Sequence, residues 1–167
     1  MQDAETILAI YRERGQFGKP LEGIYRQLFN PDLFLRAYGR LYRNAGAMTR
    51  GTSAETVDGM SMERIKKIIE LLKHERFRWS PVRRVLIPKG NGKTRPLGIP
   101  DFSPDRLLHE VMRSLLDAYY EPQFSPNSHG FRPGRGCHTA LRDIYRFWPG
   151  TKWFIEGDIR GCFDPAW

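Results

Sequence analysis

The sequence predicts an α+β protein, with helices in its first half and a β-hairpin at the start of its second half. Apolar residues recur at helical spacing through the first 80 of the 167 residues. A β-rich run then precedes the Asn91-Gly92 turn signal. Near the C-terminus, a short apolar run at 153–155 leads into Asp158. A chain of this length has room for one domain or for part of a larger one.

The composition favours a polyanionic partner. Lys and Arg total 27 against 19 Asp and Glu, which gives a formal net charge of +8 and a pI of about 9.8. Basic proteins bind nucleic acids because Lys and Arg release condensed counterions from the phosphates. Charge alone leaves a merely soluble basic protein as an equal alternative. No apolar run approaches the ~18 residues of a membrane-spanning helix, so no membrane partner is predicted.

Two amphipathic helices are predicted between residues 28 and 80. In the first, Asn30 is the predicted N-cap, Pro31 takes the first helical position and Gly46 ends the helix. In the second, Ser61 is the predicted N-cap. Apolar residues at helical spacing form the inward faces of both helices: Leu33, Phe34, Ala37, Tyr38, Leu41, Tyr42, Met62, Ile65, Ile68, Ile69 and Leu72.

Basic residues line the outward faces of the same two helices. The first helix carries Arg36, Arg40 and Arg43, and the second carries Lys66 and Lys67. Such charges are usually only a solvated face. Two basic faces on consecutive helices nevertheless favour contact with RNA or DNA, because both can neutralise backbone phosphates.

A β-hairpin with a basic tip is predicted after residue 80. The run VRRVLI is rich in β-branched residues, the run RPLGIP returns, and Asn91-Gly92 marks the turn between them. Lys89 and Lys93 lie at the tip, and Arg95 lies at the start of the return strand. Glycines and cations at a hairpin tip suit phosphate binding, since backbone N–H groups can approach the phosphate oxygens. An ordinary exposed hairpin with solubilising lysines is the alternative.

A long helix and a glycine-rich turn are predicted next. Ser103 is the predicted N-cap of the helix and Pro104 its first residue, and its apolar side is predicted to be part of the core. The stretch SHGFRPGRG is predicted to be a sharp turn that carries Arg132 and Arg135 and opens another helix. An arginine-rich glycine turn at a helix N-terminus is a ready anion site.

The last segment combines a predicted buried strand with carboxylates. Apolar residues at 153–155 predict an interior strand, and Asp158 follows at its end. A carboxylate in this position can hold Mg²⁺ against a triphosphate, although sites of this kind usually need a second carboxylate. For Asp164 we favour a different role, as the N-cap of a following helix.

The order of these motifs matches a known family. The stretches RRVLIPKGNGKTRPLGIP, SHGFRPGRGCHTAL and WFIEGDIRGCFD, in this order and at these intervals, resemble the fingers and early palm of group II intron reverse transcriptase/maturases. The upstream stretch LFNPDLFLRAYGRLYRNAGAMTRGTSAETVDGM is similar to the N-terminal extension and loop of those proteins, which contact intron RNA. The resemblance covers about residues 28–164.

The resemblance implies a truncated reverse transcriptase fold of the α+β class. It divides the chain into a helical preface over 1–27, an RNA-contacting extension over 28–80, fingers with the basic hairpin and the Gly/Arg turn over 81–150, and the first strand of a right-hand polymerase palm over 151–167. It also implies RNA-directed DNA polymerase activity in the complete protein, together with maturase activity that aids splicing and a role in intron mobility. The implied partners are group II intron RNA, an RNA template with a DNA primer, and dNTP, and the implied cofactor is Mg²⁺.

The resemblance also assigns roles to single residues. Asp158 matches the first catalytic Mg²⁺ ligand of the family, with the Ile159 carbonyl able to assist, and Phe163 matches the aromatic residue under the incoming sugar. The implied nucleotide-binding residues are Lys89, Lys93, Arg95 and Arg132. The implied RNA-binding residues are Arg36, Arg40, Arg43, Arg50, Lys66 and Lys67.

One departure from the family pattern restricts what this chain is expected to do alone. The Tyr-Ala-Asp-Asp-type motif, which supplies the other two metal carboxylates in the family, has no counterpart in the 167 residues. The chain is therefore predicted to be an inactive fragment of a longer enzyme. A non-catalytic RNA-binding splicing cofactor stays open as an alternative, as does a reverse transcriptase from a retron or a CRISPR-linked system. The two cysteines of this chain form no disulfide framework. The implied location of the protein is the bacterial cytoplasm, and an organellar host stays open as an alternative.

Overall fold

The computed structural model describes residues 2–90 and 92–159. The chain forms two compact units, one that ends at Phe124 and one that begins at Ser125. Six α-helices and two strands are present in the described residues: α1 (Ala4–Gln16), α2 (Ile24–Gln27), α3 (Pro31–Tyr42), α4 (Met62–Lys73), β1 (Arg83–Pro88), β2 (Thr94–Ile99), α5 (Leu107–Tyr120) and α6 (Cys137–Phe147). Among these helices, none combines the length and the apolar character that spanning a lipid bilayer requires.

The core of the first unit is built around α5. Helices α1 and α3 both pack against α5, and α4 packs against α3. A hydrogen bond from the Ala4 N–H to the Asp32 carboxylate, 2.6 Å long, joins the start of α1 to the start of α3. The buried apolar side chains of this core are Ala4, Ile7, Leu8, Tyr11, Leu28, Leu33, Phe34, Ala37, Ile65, Ile68, Ile69, Leu72, Leu107, Leu108, Val111, Leu115, Ala118 and Tyr119.

Both predicted N-caps of the 28–80 segment are confirmed. The Asn30 side chain accepts a hydrogen bond from the Asp32 N–H at 3.0 Å, and the Ser61 hydroxyl accepts one from the Arg64 N–H at 3.3 Å. Each cap satisfies a backbone donor that has no partner inside the helix. The predicted end of α3 at Gly46 is wrong, since the helix ends at Tyr42.

Two residues predicted to face the core are largely exposed. Tyr42 is 55% exposed and Met62 is 43% exposed. Tyr42 is the last residue of α3 and Met62 the first residue of α4, so both lie at helix ends. The residues predicted to face inward at the middle of α4 are buried. Apolar periodicity predicts which face of a helix is buried, but it does not predict how far along the helix the packing partner extends, so residues at helix ends can be exposed.

The start of α5 also differs from the prediction. The helix begins at Leu107, and Ser103 has an extended backbone (φ −118°, ψ 131°) instead of capping it. Residues 102–106 form a single wide turn in which Phe102 and Asp105 are buried. The anchoring of these two side chains in the interior explains why the regular helix begins later than the local capping signal predicts.

Two polar side chains tie the loop before residue 54 to the segment that precedes α5. The Arg106 guanidinium donates hydrogen bonds to the carbonyls of Pro100, Gly46 and Thr49. Asp101, which is 6% exposed, accepts 2.8 Å hydrogen bonds from the Ser53 N–H and the Thr52 hydroxyl: residues of the same loop. These contacts fix an irregular segment that has little apolar side chain of its own to bury.

The hydrogen bonds to Asp101 also affect its ionisation. Burial by itself raises the pKa of this carboxyl, but the hydrogen bonds from Ser53 and Thr52 outweigh burial and hold the pKa below its ordinary value. The folded state therefore binds a proton at Asp101 less readily than the unfolded chain does. The resulting stabilisation is present above the ordinary pKa of an aspartate and is lost as the pH falls through the lowered pKa of the folded state.

The hairpin is confirmed with the predicted turn region. Strands β1 and β2 pair antiparallel from Arg83 opposite Ile99 to Pro88 opposite Thr94. The Lys89 N–H donates to the Lys93 carbonyl at 2.6 Å, and Gly92 has φ 76°, a left-handed conformation that glycine adopts without strain. The structure confirms the α+β class in this coarse sense: helices with one two-stranded antiparallel sheet.

The buried strand predicted at 153–155 is not formed in the structure. Residues 151–159 have no regular secondary structure, and Trp153, Phe154 and Ile155 are between 80% and 100% exposed. A strand needs a neighbouring strand for its backbone hydrogen bonds, and in the described part of the chain β1 and β2 pair only with each other. The apolar run therefore identified three apolar side chains, but no described strand pairs with this segment.

Candidate nucleic-acid and nucleotide interface

The hairpin carries its three predicted phosphate-binding residues at the end that bears the turn. Arg95 lies opposite Ile87 in the register, and side chains two residues apart along a strand point to the same side. Lys89 directly follows β1 and Lys93 directly precedes β2, and a hydrogen bond of 2.6 Å from the Lys89 N–H to the Lys93 carbonyl joins them next to Arg95. All three residues are exposed. The tip can therefore offer several positive charges to one polyanionic group.

Two of the predicted RNA-binding arginines form ion pairs within the first unit. Arg36 Nε lies 2.6 Å from Glu5 Oε1, an exposed carboxylate on α1. Arg40 Nε lies 3.3 Å from Oε1 of Glu110, whose side chain is only 10% exposed. Arg113 of α5 holds the same Glu110 carboxylate through two hydrogen bonds of 2.7 and 2.8 Å.

These ion pairs give Arg40 a structural role. A buried carboxylate such as Glu110 needs its partners, because an uncompensated charge in the interior is costly. The hydrogen bond to Glu110 raises the pKa of the Arg113 guanidinium. Replacement of Arg40 would therefore disturb the packing of α3 on α5 as well as the surface charge.

The other four predicted RNA-binding residues are exposed cations. Arg43 follows the last turn of α3, and Arg50 lies in the loop between α3 and α4. Lys66 and Lys67 lie on the outward face of α4. None of these four side chains forms an ion pair or a hydrogen bond with a described residue. They can bind phosphates without first breaking an internal interaction.

The arginines of the glycine-rich turn point back onto their own loop. Arg132 Nη1 donates to the carbonyls of Ser125 and Ser128, both at 2.8 Å, and Arg135 Nη1 donates to the Pro126 carbonyl. The turn in the structure is therefore an internally hydrogen-bonded loop and not an open arginine fork. Nucleotide binding by Arg132 stays a prediction.

The same turn exposes an aromatic residue that the sequence interpretation did not single out. Phe131 is fully exposed and has φ 57°, a left-handed conformation that is rare for a bulky residue. An exposed ring beside cations is the usual arrangement for stacking on an unpaired nucleobase. Its position between Gly130 and Arg132 is the sequence signal that could have identified it.

The predicted catalytic segment has two described carboxylates, Glu156 and Asp158, of which Asp158 is the predicted metal ligand. Asp158 is exposed and lies with Ile159 in the second unit, whereas the hairpin lies in the first. Phe163 lies outside the described residues. Within 2–90 and 92–159, no group of three His, Cys, Asp or Glu side chains could hold a metal ion. The Asp158 carboxylate is an oxygen donor of the kind that Mg²⁺ takes, and the other ligands of such an ion would have to come from outside the described residues.

Comparison with known proteins finds a matching family model and similar intron-encoded proteins. The family model described as reverse transcriptase (RNA-dependent DNA polymerase) matches residues 87–167. Group II intron-encoded protein LtrA of Lactococcus lactis subsp. cremoris is 53% identical over 142 residues, which cover 84% of this chain and 24% of the relative. A 91 kDa protein encoded in the cob intron of Schizosaccharomyces pombe is 53% identical over 138 residues, which cover 82% of this chain and 17% of the relative.

A more distant match comes from a plant. Nuclear intron maturase 1, mitochondrial, of Arabidopsis thaliana is 45% identical over 60 residues, which cover 36% of this chain and 8% of the relative. The chain thus spans about a quarter or less of the length of these relatives. The chain is thus similar to the reverse transcriptase family model over its C-terminal part and to intron-encoded proteins, among them a group II intron-encoded protein, along most of its length.

Proposed function

We propose that this chain is the N-terminal part of an RNA-directed DNA polymerase and maturase. The complete protein would bind group II intron RNA, aid its splicing and copy RNA into DNA during intron mobility. The 53% identity to a group II intron-encoded protein over 84% of this chain carries the proposal, because a match of this extent involves most of the sequence and not a single motif. In this proposal, residues 28–80 are the extension, 81–150 the fingers and 151–167 the start of the palm.

The charged features of the chain suit separate tasks in that enzyme. Lys89, Lys93 and Arg95 at the turn end of the hairpin would bind the triphosphate of the incoming dNTP, since charge-assisted hydrogen bonds to phosphate are strong. Asp158 would supply one ligand to Mg²⁺, with further ligands from outside the described residues. When bound, the metal would neutralise charge on the phosphates. The exposed cations of α4 would contact the phosphates of intron RNA.

Primer extension by the full-length protein tests the proposal. With an RNA template, a DNA primer, dNTPs and Mg²⁺, the full-length protein should synthesise template-dependent DNA. The 167-residue chain should synthesise none, because it carries a single candidate metal carboxylate in its palm segment. Failure of the full-length protein to extend the primer would rule out the polymerase.

A splicing cofactor without polymerase chemistry is the second candidate. The match to a plant protein named as an intron maturase favours it, since that name refers to intron maturation. Intron RNA binding and splicing by a full-length protein that cannot extend a primer would support this candidate. A retron or CRISPR-linked enzyme is favoured less, because the three relatives named above are all intron proteins.

Arg95→Ala in the full-length protein should raise the KM for dNTP about tenfold, since the variant cannot make one charge-assisted hydrogen bond to the triphosphate. RNA affinity should change little. Arg84→Ala is the matched control, because Arg84 is also an exposed hairpin arginine but pairs with Gly98 on the opposite face. Steady-state single-nucleotide incorporation gives KM and kcat for each variant. An equal KM change in both variants would show that general charge, not this face, binds the dNTP.

Lys66→Gln/Lys67→Gln should weaken binding of the chain to structured intron RNA and make it less salt-dependent. Each phosphate that the variant no longer neutralises should flatten the slope of log affinity against log salt concentration by about 0.7 to 0.9. These lysines are preferred to Arg36 and Arg40 because their removal breaks no ion pair with a described residue. Lys19→Gln serves as the control at an exposed cation on another segment. An unchanged slope in the double variant would make α4 a solvated face only.

A further inference from the structure

Trp79 lies on the surface of the first unit with its ring held against α5. It belongs to the segment between α4 and β1 and is 49% exposed. The indole stacks on the His109 imidazole of α5, with 4.5 Å between the ring centroids and 15° between the ring planes. Phe77 meets the indole nearly at right angles, with the centroids 5.0 Å apart. Two neighbouring rings thus fix the orientation of the indole, while about half of the residue stays open to solvent.

The backbone around Trp79 is anchored as well. The N–H of Ser80 donates a 3.1 Å hydrogen bond to the carboxylate of Asp105, a buried residue in the wide turn before α5. On the other side of Trp79, Phe77 packs partly buried against the core. The indole is therefore held in place before any ligand arrives, and a preorganised ring loses little conformational freedom on binding.

The segment that carries Trp79 is basic. Residues 75–84 include four arginines and a single acidic residue, Glu75. Arg76 and Arg78, the two arginines nearest to Trp79 in the sequence, are both exposed. Arg78 Nη1 donates a 3.1 Å hydrogen bond to the Phe77 carbonyl, which keeps this guanidinium close to the aromatic side chains. An exposed aromatic ring thus lies among positive charges.

We propose that Trp79 is a stacking platform for an unpaired nucleobase of RNA, with Arg76 and Arg78 on the adjoining phosphates. Aromatic side chains stack bases of any sequence, because every base has a π-face, and nearby cations contact the backbone. A base inside a duplex cannot use the platform, since its neighbours already cover both of its faces. The platform therefore binds loops, bulges and ends.

The arginines favour RNA over a peptide as the ligand. Proline-rich peptides also pack on exposed aromatic side chains. Arginines contribute little to the binding of an uncharged peptide, whereas they release condensed counterions from the phosphates of RNA. That the RNA is intron RNA rests on the proposed function, but base stacking by Trp79 does not.

Tryptophan fluorescence of the 167-residue chain tests the contact. The probes are an RNA duplex with a bulge of unpaired nucleotides and a fully paired duplex with the same number of phosphates. The bulged RNA should quench the emission more strongly, because stacking brings a nucleobase onto the indole. Trp79→Phe should abolish this difference, whereas Trp148→Phe should keep it. Trp148 is the matched control, since it is 50% exposed and lies in the second unit.

Two results of the fluorescence experiment would overturn the proposal. One is equal quenching by the two RNAs in the wild type, and the other is a difference that persists in Trp79→Phe. Quenching by a proline-rich peptide and by neither RNA would assign the surface to a protein partner, which also overturns it.

Binding affinities give a second measurement. Trp79→Ala should weaken binding of the bulged RNA about tenfold and leave the paired duplex nearly unchanged, because one stacked base is lost. Trp79→Phe should keep most of the affinity, since its ring still stacks. Equal losses for both RNAs in Trp79→Ala would show that the variant acts through the fold and would refute stacking. A full-length protein that does not bind intron RNA would instead refute the proposed function and leave the preference for unpaired bases standing.

Discussion

Gly15→Ala should destabilise the first unit by about 3 kcal/mol, because an added methyl group would overlap backbone atoms of a neighbouring helix. Gly15 lies near the end of α1 where that helix meets the end of α5. A Cβ there would overlap the carbonyl oxygen of Tyr119 and lie 2.9 Å from its carbon. These are backbone atoms, so relief requires movement of one helix away from the other. Urea denaturation followed by circular dichroism measures the change in stability.

Gly39→Ala is the matched control for this experiment. Gly39 also lies inside a helix, but a Cβ there would meet nothing within 4 Å. Alanine should therefore increase the stability by up to about 1 kcal/mol, because it restricts the unfolded chain and favours helix. If Gly15→Ala were as stable as Gly39→Ala, the close approach of α1 and α5 would be wrong.

Asp158→Asn in the full-length protein should lower primer extension by about a thousandfold. Loss of one metal carboxylate removes several kcal/mol of charge stabilisation, and each 1.36 kcal/mol corresponds to a factor of ten in rate. Intron RNA affinity should be almost unchanged, since amide replaces carboxylate at a single position. Extension rates with saturating dNTP and filter binding of intron RNA provide the two measurements.

The neighbouring carboxylate Glu156 supplies the control. Glu156 is exposed two residues before Asp158, and Glu156→Gln removes the same charge from the same segment. This variant should keep most of the polymerase activity. Comparable losses in the two variants would mean that the segment needs negative charge in general. An active Asp158→Asn enzyme would exclude Asp158 as an essential metal ligand.

Features of the fold that depend on neighbouring residues could be predicted from the sequence. Asn30 and Ser61 cap helices within three residues of themselves, and the Gly92 turn joins two strands that are adjacent in the chain. The same local logic failed at Ser103. There, the burial of Phe102 and Asp105, which is decided by contacts with distant residues, determines the backbone.

Features of the candidate site that depend on distant partners could not be predicted. Periodicity placed Arg36 and Arg40 on an outward face, but it could not show that Glu5, 31 residues away, pairs with Arg36. Nor could it show that a buried carboxylate on α5 needs Arg40. The outward direction of the cations on α4 could be predicted from the helix alone. Once the apolar residues of α4 face the core, the lysines on the opposite side of the same helix must face outward.

The distribution of buried side chains affects how the protein is made on the ribosome. Every buried apolar side chain of the described residues lies before Ser125. A nascent chain can therefore complete this core once α5 has left the exit tunnel, while the following residues are still being added. Since domains generally fold as units during synthesis, the helices can be in place before the glycine-rich turn emerges. The first unit then has its core complete, and the side chains of that core are already hidden from chaperones and proteases.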